Sequence, residues 1–208
     1  MRGVGRGLAF TFTHASVALA VATWAAGVAI VFPSQALLSV FARDEIRTNG
    51  FGLGLLLTAS GIGALVGATL GGYDRLLRPH VATMAVALAA VGAALTTVGF
   101  APDLNRSLVL LGAMGFGWGI VTVMAFTITL THTPPELRGR GMGMLIWVVG
   151  FSPAGSIGVG FVASATNSRT AYALAGYAAV GFAALVLGLW FVFGTRSLSR
   201  RATPVVDA

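Results

Sequence analysis

The stretch GFGLGLLLTASGIGALVGATLGG, residues 50–72, contains no charged side chain. A helix of about 20 apolar residues, rising 1.5 Å per residue, crosses the hydrocarbon core of a bilayer. Only 9% of the 208 residues are charged and 56% are hydrophobic, whereas soluble domains have roughly 25% charged residues. The stretch therefore predicts a membrane-spanning helix rather than the core of a soluble domain.

Uncharged apolar stretches of the same kind occur on both sides of this one. The six predicted spans are 17–41, 51–70, 81–100, 108–130, 141–165 and 172–193. The links between them are too short for a separate soluble domain. The chain is therefore predicted to be all-α, a single transmembrane domain over residues 1–208 in contact with the lipid bilayer, with 194–208 as a cytoplasmic tail.

The arginines predict the orientation of the spans, because cytoplasmic loops of membrane proteins carry an excess of basic residues. One side of the predicted topology has nine of the 13 basic residues: Arg2, Arg6, Arg75, Arg78, Arg138, Arg140, Arg196, Arg200 and Arg201. The other side has Arg43, Arg47, Arg106 and Arg169. Both termini are therefore predicted to be cytoplasmic. Because the arginines are scattered over loops, they do not indicate a nucleic-acid partner.

A short internal repeat predicts the arrangement of the spans. The segment EIRTNGFGL at 45–53 recurs as ELRGRGMGM at 136–144. Each copy ends a loop and begins a span, the first on the outer side and the second on the cytoplasmic side. Two three-helix units of opposite orientation, 17–100 and 108–193, predict this pattern, which is typical of transporters.

The start of the fifth span contains a capping pattern. In Thr133-Pro134-Pro135-Glu136, the Thr133 hydroxyl would cap the helix, a proline would occupy its first position, and Glu136 would reach back to a free backbone amide.

Small residues recur every four positions in three spans. Such stripes allow two helix backbones to approach closely in lipid. We favour packing within one bundle over contact between chains. The stripes are Gly63, Gly67 and Gly71; Gly115 and Gly119; and Ser152, Ser156 and Gly160.

Two loop motifs resemble a known family. The pieces SVFARDEI at 39–46 and TPPELRGRGMGML at 133–145, with FSPAGSIGVGFVAS at 151–164, are similar to the C-terminal half of a Major Facilitator Superfamily transporter. The similarity is greatest to the enterobactin-exporter-like exporter branch. It implies half of a twelve-helix fold in a bacterial inner (plasma) membrane, with a second six-helix half, from the same or another chain, as its partner.

The resemblance also suggests a cytoplasmic gate in GGYDRLLRPH, residues 71–80. Asp74, Arg75 and Arg78 match the acidic and basic positions of a superfamily loop signature, although Leu77 replaces its glycine. Glu136, Arg138 and Arg140 are further gate or loop candidates on the same side. Since exposed ion pairs contribute only about 0–1 kcal/mol, they can bias a gate without locking it. A solvated basic loop is the alternative interpretation.

The central cavity of such a transporter would be lined by the first and fourth spans. The residues there that suit an amphipathic organic substrate are Trp24, Gln35, Trp118, Met124 and Phe126. Pro33 and Pro153 are helix-break candidates, because proline removes a helical hydrogen bond and can free a carbonyl near a cavity.

The composition excludes several other functions. The chain has no cysteine, and its spans contain neither a metal-ligand cluster nor a catalytic constellation, so an enzyme, a metal site and a cofactor are not predicted. No filter-like loop indicates a channel. The resemblance implies secondary transport, with efflux of a small amphipathic compound such as a drug or siderophore. A non-transporting membrane scaffold or subunit, or an inactive truncated transporter, remains the alternative.

Overall fold

A computed structural model describes residues 15–73, 80–100, 103–150 and 152–199. In these ranges the regular elements are helices. They are α1 Ala15–Asp44, α2 Gly50–Gly71, α3 Val81–Phe100, α4 Leu104–His132, a 3-10 turn Pro135–Leu137, α5 Arg138–Val149, α6 Ser152–Ala165 and α7 Ser168–Ser199.

Five of the described helical segments are long and apolar enough to cross a membrane: Ser16–Asp44, Gly50–Gly71, Val81–Phe100, Leu104–His132 and Ser168–Val192. The predicted span 141–165 is not one continuous helix, because α5 ends at Val149 and α6 begins at Ser152. The Gly150 N–H instead closes a tight turn on the Trp147 carbonyl at 3.0 Å. The expected count of six continuous spans is therefore not met in the described part of the chain.

Two predicted spans begin later than the observed helices, because the helical backbone extends past the apolar residues. The fourth span begins at Leu104 rather than at 108, and the last begins at Ser168 rather than at 172. The capping prediction for the fifth span is wrong for Thr133, whereas a proline, Pro135, does occupy the first position of the 3-10 turn. Among the described residues the Thr133 hydroxyl has no hydrogen-bond partner. The 3-10 turn precedes α5, which begins at Arg138 without a side-chain cap.

The small-residue stripes on α2 and α4 face each other within the chain. Gly67 lies against the backbone of Phe116, and Gly115 lies against that of Ser60; a Cβ atom at either glycine would collide with a backbone oxygen. The same holds for Gly63 and Gly119. Packing within the bundle, as predicted for these two stripes, is confirmed. In the third stripe, none of the described elements comes within 4 Å of a Cβ position at Gly160.

The remaining helices complete two buried clusters. α3 packs along α7 and α4, and α1 packs against α4, α6 and α7. One cluster joins residues of α1, α3, α4 and α7 with Leu145 of α5, and the other joins residues of α1, α3 and α4 with Leu56 of α2 and Tyr172 of α7. Many apolar side chains elsewhere are exposed, including Leu65 and Phe161. A membrane protein can leave such residues facing lipid, which a soluble monomer cannot.

The two ends of the bundle are distinguished by their loops. At the end that we call the Glu45 end, Arg169 at the start of α7 donates from Nε to Glu45 at 2.5 Å. The end of α3 lies beside them, because a Cβ at Gly99 would be 2.8 Å from the Arg169 carbonyl. At the opposite end, a Cβ at Gly141 of α5 would be 3.0 Å from Thr129 Cγ2 of α4.

Candidate substrate surface

Four aromatic side chains join α1 to α4 near the middle of the bundle. Trp24 and Trp118 are stacked, with ring centroids 4.9 Å apart and planes 9° apart. Phe126 meets Trp24 edge-on at 5.7 Å, and Phe32 meets Trp118 edge-on at 6.5 Å. Stacked and edge-to-face contacts of this kind are the favoured geometries for aromatic rings. We call these four residues the aromatic cluster.

Glycine at position 27 makes room for this stack. A Cβ atom at Gly27 would lie 2.5 Å from Cζ3 of Trp118. The indole of Trp118 therefore lies directly on the backbone of α1. Since Trp118 is close to the midpoint of the 29-residue α4, the stack lies at mid-depth in the predicted span.

The aromatic cluster also holds α5. The indole Nε1–H of Trp24 donates to the carbonyl of Leu145 at 3.1 Å. Both residues are buried, so the bond satisfies an indole N–H that would otherwise be costly away from water. Trp24 thus acts as a link between helices in this conformation.

The predicted cavity residues fall into two groups. Trp24 and Met124 are buried among other side chains of this chain. Trp118 and Phe126 are half-buried and Gln35 is exposed. Only the second group is placed where a molecule outside this helical bundle could touch it.

Phe32 belongs with the accessible group, although the sequence interpretation omitted it. Its side chain is 41% exposed and meets Trp118, as described above. It lies three residues before Gln35, so the two share a helix face. The spacing of Phe32 and Gln35 on α1 was the available signal. We call Phe32, Gln35 and Trp118 the α1–α4 surface.

The α1–α4 surface contains no charged side chain. Gln35 also borders a narrow cleft with Ser34 and Tyr172. The Tyr172 hydroxyl occupies the polar part of that cleft by donating to the Ser34 carbonyl at 2.6 Å. Contacts at the α1–α4 surface are therefore aromatic faces and edges plus one amide, which suits an uncharged or delocalised ring system better than a compact ion.

The two helix-break candidates behave differently. α1 continues through Pro33, although proline leaves the carbonyl four residues earlier, that of Ala29, without a helical N–H. A Cβ atom at Gly155 of α6 would be 3.0 Å from that carbonyl and 3.2 Å from the Pro33 ring. Pro153, by contrast, is the second residue of α6, directly after the break between α5 and α6.

The gate candidates are only partly described. Asp74, Arg75 and Arg78 lie outside the described residues. Glu136 and Arg140 are exposed. Arg138 donates from Nε to the Thr133 carbonyl at 3.3 Å, and ion pairs found within the described ranges do not include these three residues.

Groups of three or more His, Cys, Asp or Glu side chains that could hold a metal ion are absent from the part of the chain that the structure covers.

Comparison with known proteins identifies similar exporters, although no family profile matches the chain. Over 146 residues, 68% of the chain, it is 35% identical to the multidrug efflux pump Tap of Mycolicibacterium fortuitum, of which the match covers 34%. Over 189 residues, 89% of the chain, it is 27% identical to the enterobactin exporter EntS of Salmonella choleraesuis (strain SC-B67). The corresponding identity to EntS of Salmonella paratyphi A is 26%.

These matches confirm the resemblance to exporters that the sequence motifs indicated. The chain spans less than half the length of the curated relatives it matches. The matches cover 34% of the multidrug pump and 43% of each enterobactin exporter. The exposed apolar helices and these relatives together identify a multi-pass membrane protein.

Proposed function

Since the chain resembles Major Facilitator Superfamily exporters over most of its length, we propose that it forms one half of an efflux transporter, the half that corresponds to the C-terminal six helices. The proposed cargo is a small amphipathic organic compound, such as a drug or siderophore. The relatives support this class through their printed names, multidrug efflux pump and enterobactin exporter. The proposed location is the inner membrane of a bacterium, with the arginine-rich side and both termini in the cytoplasm.

The observation that carries this proposal is the α1–α4 surface. It combines the half-buried ring of Trp118, the exposed ring of Phe32 and the exposed amide of Gln35 on two neighbouring helices. Transporters built from repeated helical units bind substrate near the bilayer midplane at the interface between those units. A surface with aromatic area and one amide at mid-depth of α4 fits that location.

The contact pattern of the helices supports the proposed inverted repeats, 17–100 and 108–193. α2 packs along α4, while α5 and α6 pack along α1. α1 contacts α4, and α3 contacts α7. Exchanging the first three helical units for the last three, with α5 and α6 together as the middle unit, turns the α2–α4 contact into the contacts of α5 and α6 with α1, and it maps the α1–α4 and α3–α7 contacts onto themselves.

A second six-helix body would complete the proposed transporter. The curated relatives are more than twice the length of this chain, which supports a partner of about equal size. That body could be another copy of this chain, a separate chain, or a further segment of a longer protein. It would cover the α1–α4 surface and enclose the substrate between the halves.

The first experiment is the native mass of the chain extracted directly into lipid nanodiscs. A mass of two chains would supply twelve helices from one sequence and favour a homodimeric transporter. A single chain bound to a different protein would identify the second half. A single chain without a partner would contradict the proposed assembly and favour a scaffold or an inactive piece.

The second experiment measures efflux of ethidium, a planar aromatic cation, from cells that express the chain with its second half. The variant Phe32→Ala with Gln35→Ala removes exposed groups of the α1–α4 surface and leaves the buried stack intact. The matched control, Leu65→Ala with Leu185→Ala, removes exposed apolar groups on α2 and α7. We expect reduced efflux only in the first variant; equal efflux in both would contradict the assigned surface.

A further inference from the structure

A groove separate from the α1–α4 surface lies between α3 and α4 at the Glu45 end. Its volume is about 600 Å³, and it is lined by Thr97, Phe100, Asn105, Arg106, Val109 and Leu110. Phe100 and Val109 are largely exposed. The groove therefore opens outward from the bundle, toward the surroundings of the chain.

The position of the groove along the helices matches the boundary of a bilayer. α3 has 20 residues, so it is about 30 Å long, which equals the thickness of the hydrocarbon core. Phe100, the last residue of α3, therefore lies where the hydrocarbon ends. Arg106 lies near this boundary and can extend its guanidinium outward. Val109 and Leu110 lie one helical turn deeper. Thr97 also lines this deeper part, but its hydroxyl donates to the Ala93 carbonyl of its own helix at 2.7 Å. The groove is therefore polar at the headgroup level and mainly apolar below it.

A charge of each sign lies at the polar end of the groove: Arg106 lines the groove, and Asp103 stands at its rim as the ion-pair partner of Arg106. Arg106 Nε lies 3.5 Å from Asp103 Oδ2, and the two side chains are 74% and 63% exposed. An exposed pair at this distance contributes little to stability, which leaves both groups available to a ligand. Asn105 lines the groove together with Arg106.

We propose that this groove binds one phospholipid whose headgroup carries both a phosphate and a primary ammonium, that is, phosphatidylethanolamine. The phosphate binds Arg106 and Asn105 through charge-assisted hydrogen bonds. The ammonium binds Asp103, and an acyl chain lies along Phe100 and Val109. A lipid with only a negative headgroup, such as phosphatidylglycerol, would bring its charge close to Asp103 without compensation.

The test is native mass spectrometry of the detergent-solubilised full chain, titrated separately with phosphatidylethanolamine and phosphatidylglycerol. The variant Asp103→Asn with Arg106→Gln removes both charges and leaves the net charge unchanged. Its matched control is Arg43→Gln with Asp44→Asn. This second exposed pair has Nε and Oδ1 2.9 Å apart, lies at the end of α1 and does not line the groove.

We expect the unaltered chain and the control to retain one phosphatidylethanolamine. The groove variant should bind it about tenfold more weakly, the loss typical of a charge-assisted hydrogen bond. Asp103→Asn alone should shift the preference toward phosphatidylglycerol, because it leaves Arg106 without a neighbouring negative charge. Val109→Trp, at a largely exposed position, should also displace the lipid by filling the apolar end.

Three results would overturn the proposal. They are equal binding of the two lipids to the unaltered chain, unchanged binding in the Asp103→Asn with Arg106→Gln variant, and no lipid retained at all. The last result is the one expected if a second protein body covers the groove.

Discussion

The hydroxyl of Tyr172 donates a hydrogen bond of 2.6 Å to the backbone carbonyl of Ser34, 138 positions earlier in the chain. Both residues are buried. The ring of Tyr172 also packs against Phe41 at a centroid distance of 5.0 Å. The bond therefore joins α7 to α1 directly after Pro33, inside the second buried cluster.

Replacing Tyr172 by Phe should lower the free energy of unfolding by about 1 kcal/mol, as for other side-chain hydrogen bonds between membrane helices. The ring packing is retained, so the loss reports the hydroxyl alone. The measurement is unfolding in mixed micelles of increasing SDS content, followed by tryptophan fluorescence. Tyr177→Phe, on the exposed side of α7, is the control and should leave the transition in place. A Tyr172→Phe transition that coincides with this control would show that the bond adds no stability.

Gly67→Ala should destabilise the α2–α4 pair by about 1–3 kcal/mol, the usual cost of overpacking. The added methyl group would collide with the carbonyl oxygen of Phe116, so the two helices would have to separate. Gly61→Ala on the same helix is the matched control, because no described atom outside its own helix backbone lies within 4 Å of its Cβ position. This control should be neutral, or stabilising by up to about 1 kcal/mol through helix propensity. The same SDS titration distinguishes them, and equal midpoints would contradict the observed interface.

The ion pair between Glu45 and Arg169 should stabilise the Glu45 end by no more than about 1 kcal/mol, because it is partly exposed to solvent. Glu45→Gln should therefore lower the melting temperature slightly, and the effect should decrease at high salt. The exchanged variant, Glu45→Arg with Arg169→Glu, should recover part of the loss. Asp44→Asn, in the neighbouring exposed pair, serves as the control. Failure of the exchanged variant to improve on Arg169→Glu alone would exclude a direct pair.

Thr129→Val should leave stability unchanged or raise it, by up to about 1–3 kcal/mol, the cost of a buried polar group without a partner. The Thr129 hydroxyl is buried and finds no hydrogen-bond partner in the part of the chain that the structure describes, and valine has nearly the same shape. Thr23 is equally buried, but its hydroxyl donates to the Leu19 carbonyl at 2.7 Å. Thr23→Val should therefore be the less stable of the two variants in the same SDS titration. The opposite order would indicate that Thr129 has a partner in the membrane.

Residue patterns within single segments predicted the membrane-spanning helices. The apolar run at 51–70 became α2, Gly50–Gly71, and the run at 81–100 became α3 with the predicted bounds. Whether a segment of this length enters a bilayer depends on the summed transfer free energy of its own side chains. The resemblance to exporters was likewise visible in contiguous motifs.

The break in the fifth predicted span could not be read from a proline alone. Pro33 and Pro153 both lie in apolar runs, yet α1 continues through Pro33 while the helix before Pro153 ends at Val149. At Pro33 the freed Ala29 carbonyl lies against Gly155 of another helix. Whether a helix continues through a proline depends on such neighbours, which the local sequence does not contain.

For the candidate site, too, the sequence predicted residue types and positions, whereas burial depended on the tertiary structure. The residue types and their positions in the first and fourth predicted spans indicated the candidates, but not which of them are buried. These candidates are Trp24, Gln35, Trp118, Met124 and Phe126. Burial follows from contacts between distant segments, such as the bond from Trp24 to Leu145, 121 positions away. The sequence by itself thus determined that this is a helical membrane protein and where most of its helices lie, because membrane insertion is a property of each segment. Only the tertiary structure decided which faces pack together and which side chains remain accessible, because helix packing in lipid depends on the shape of both surfaces at once.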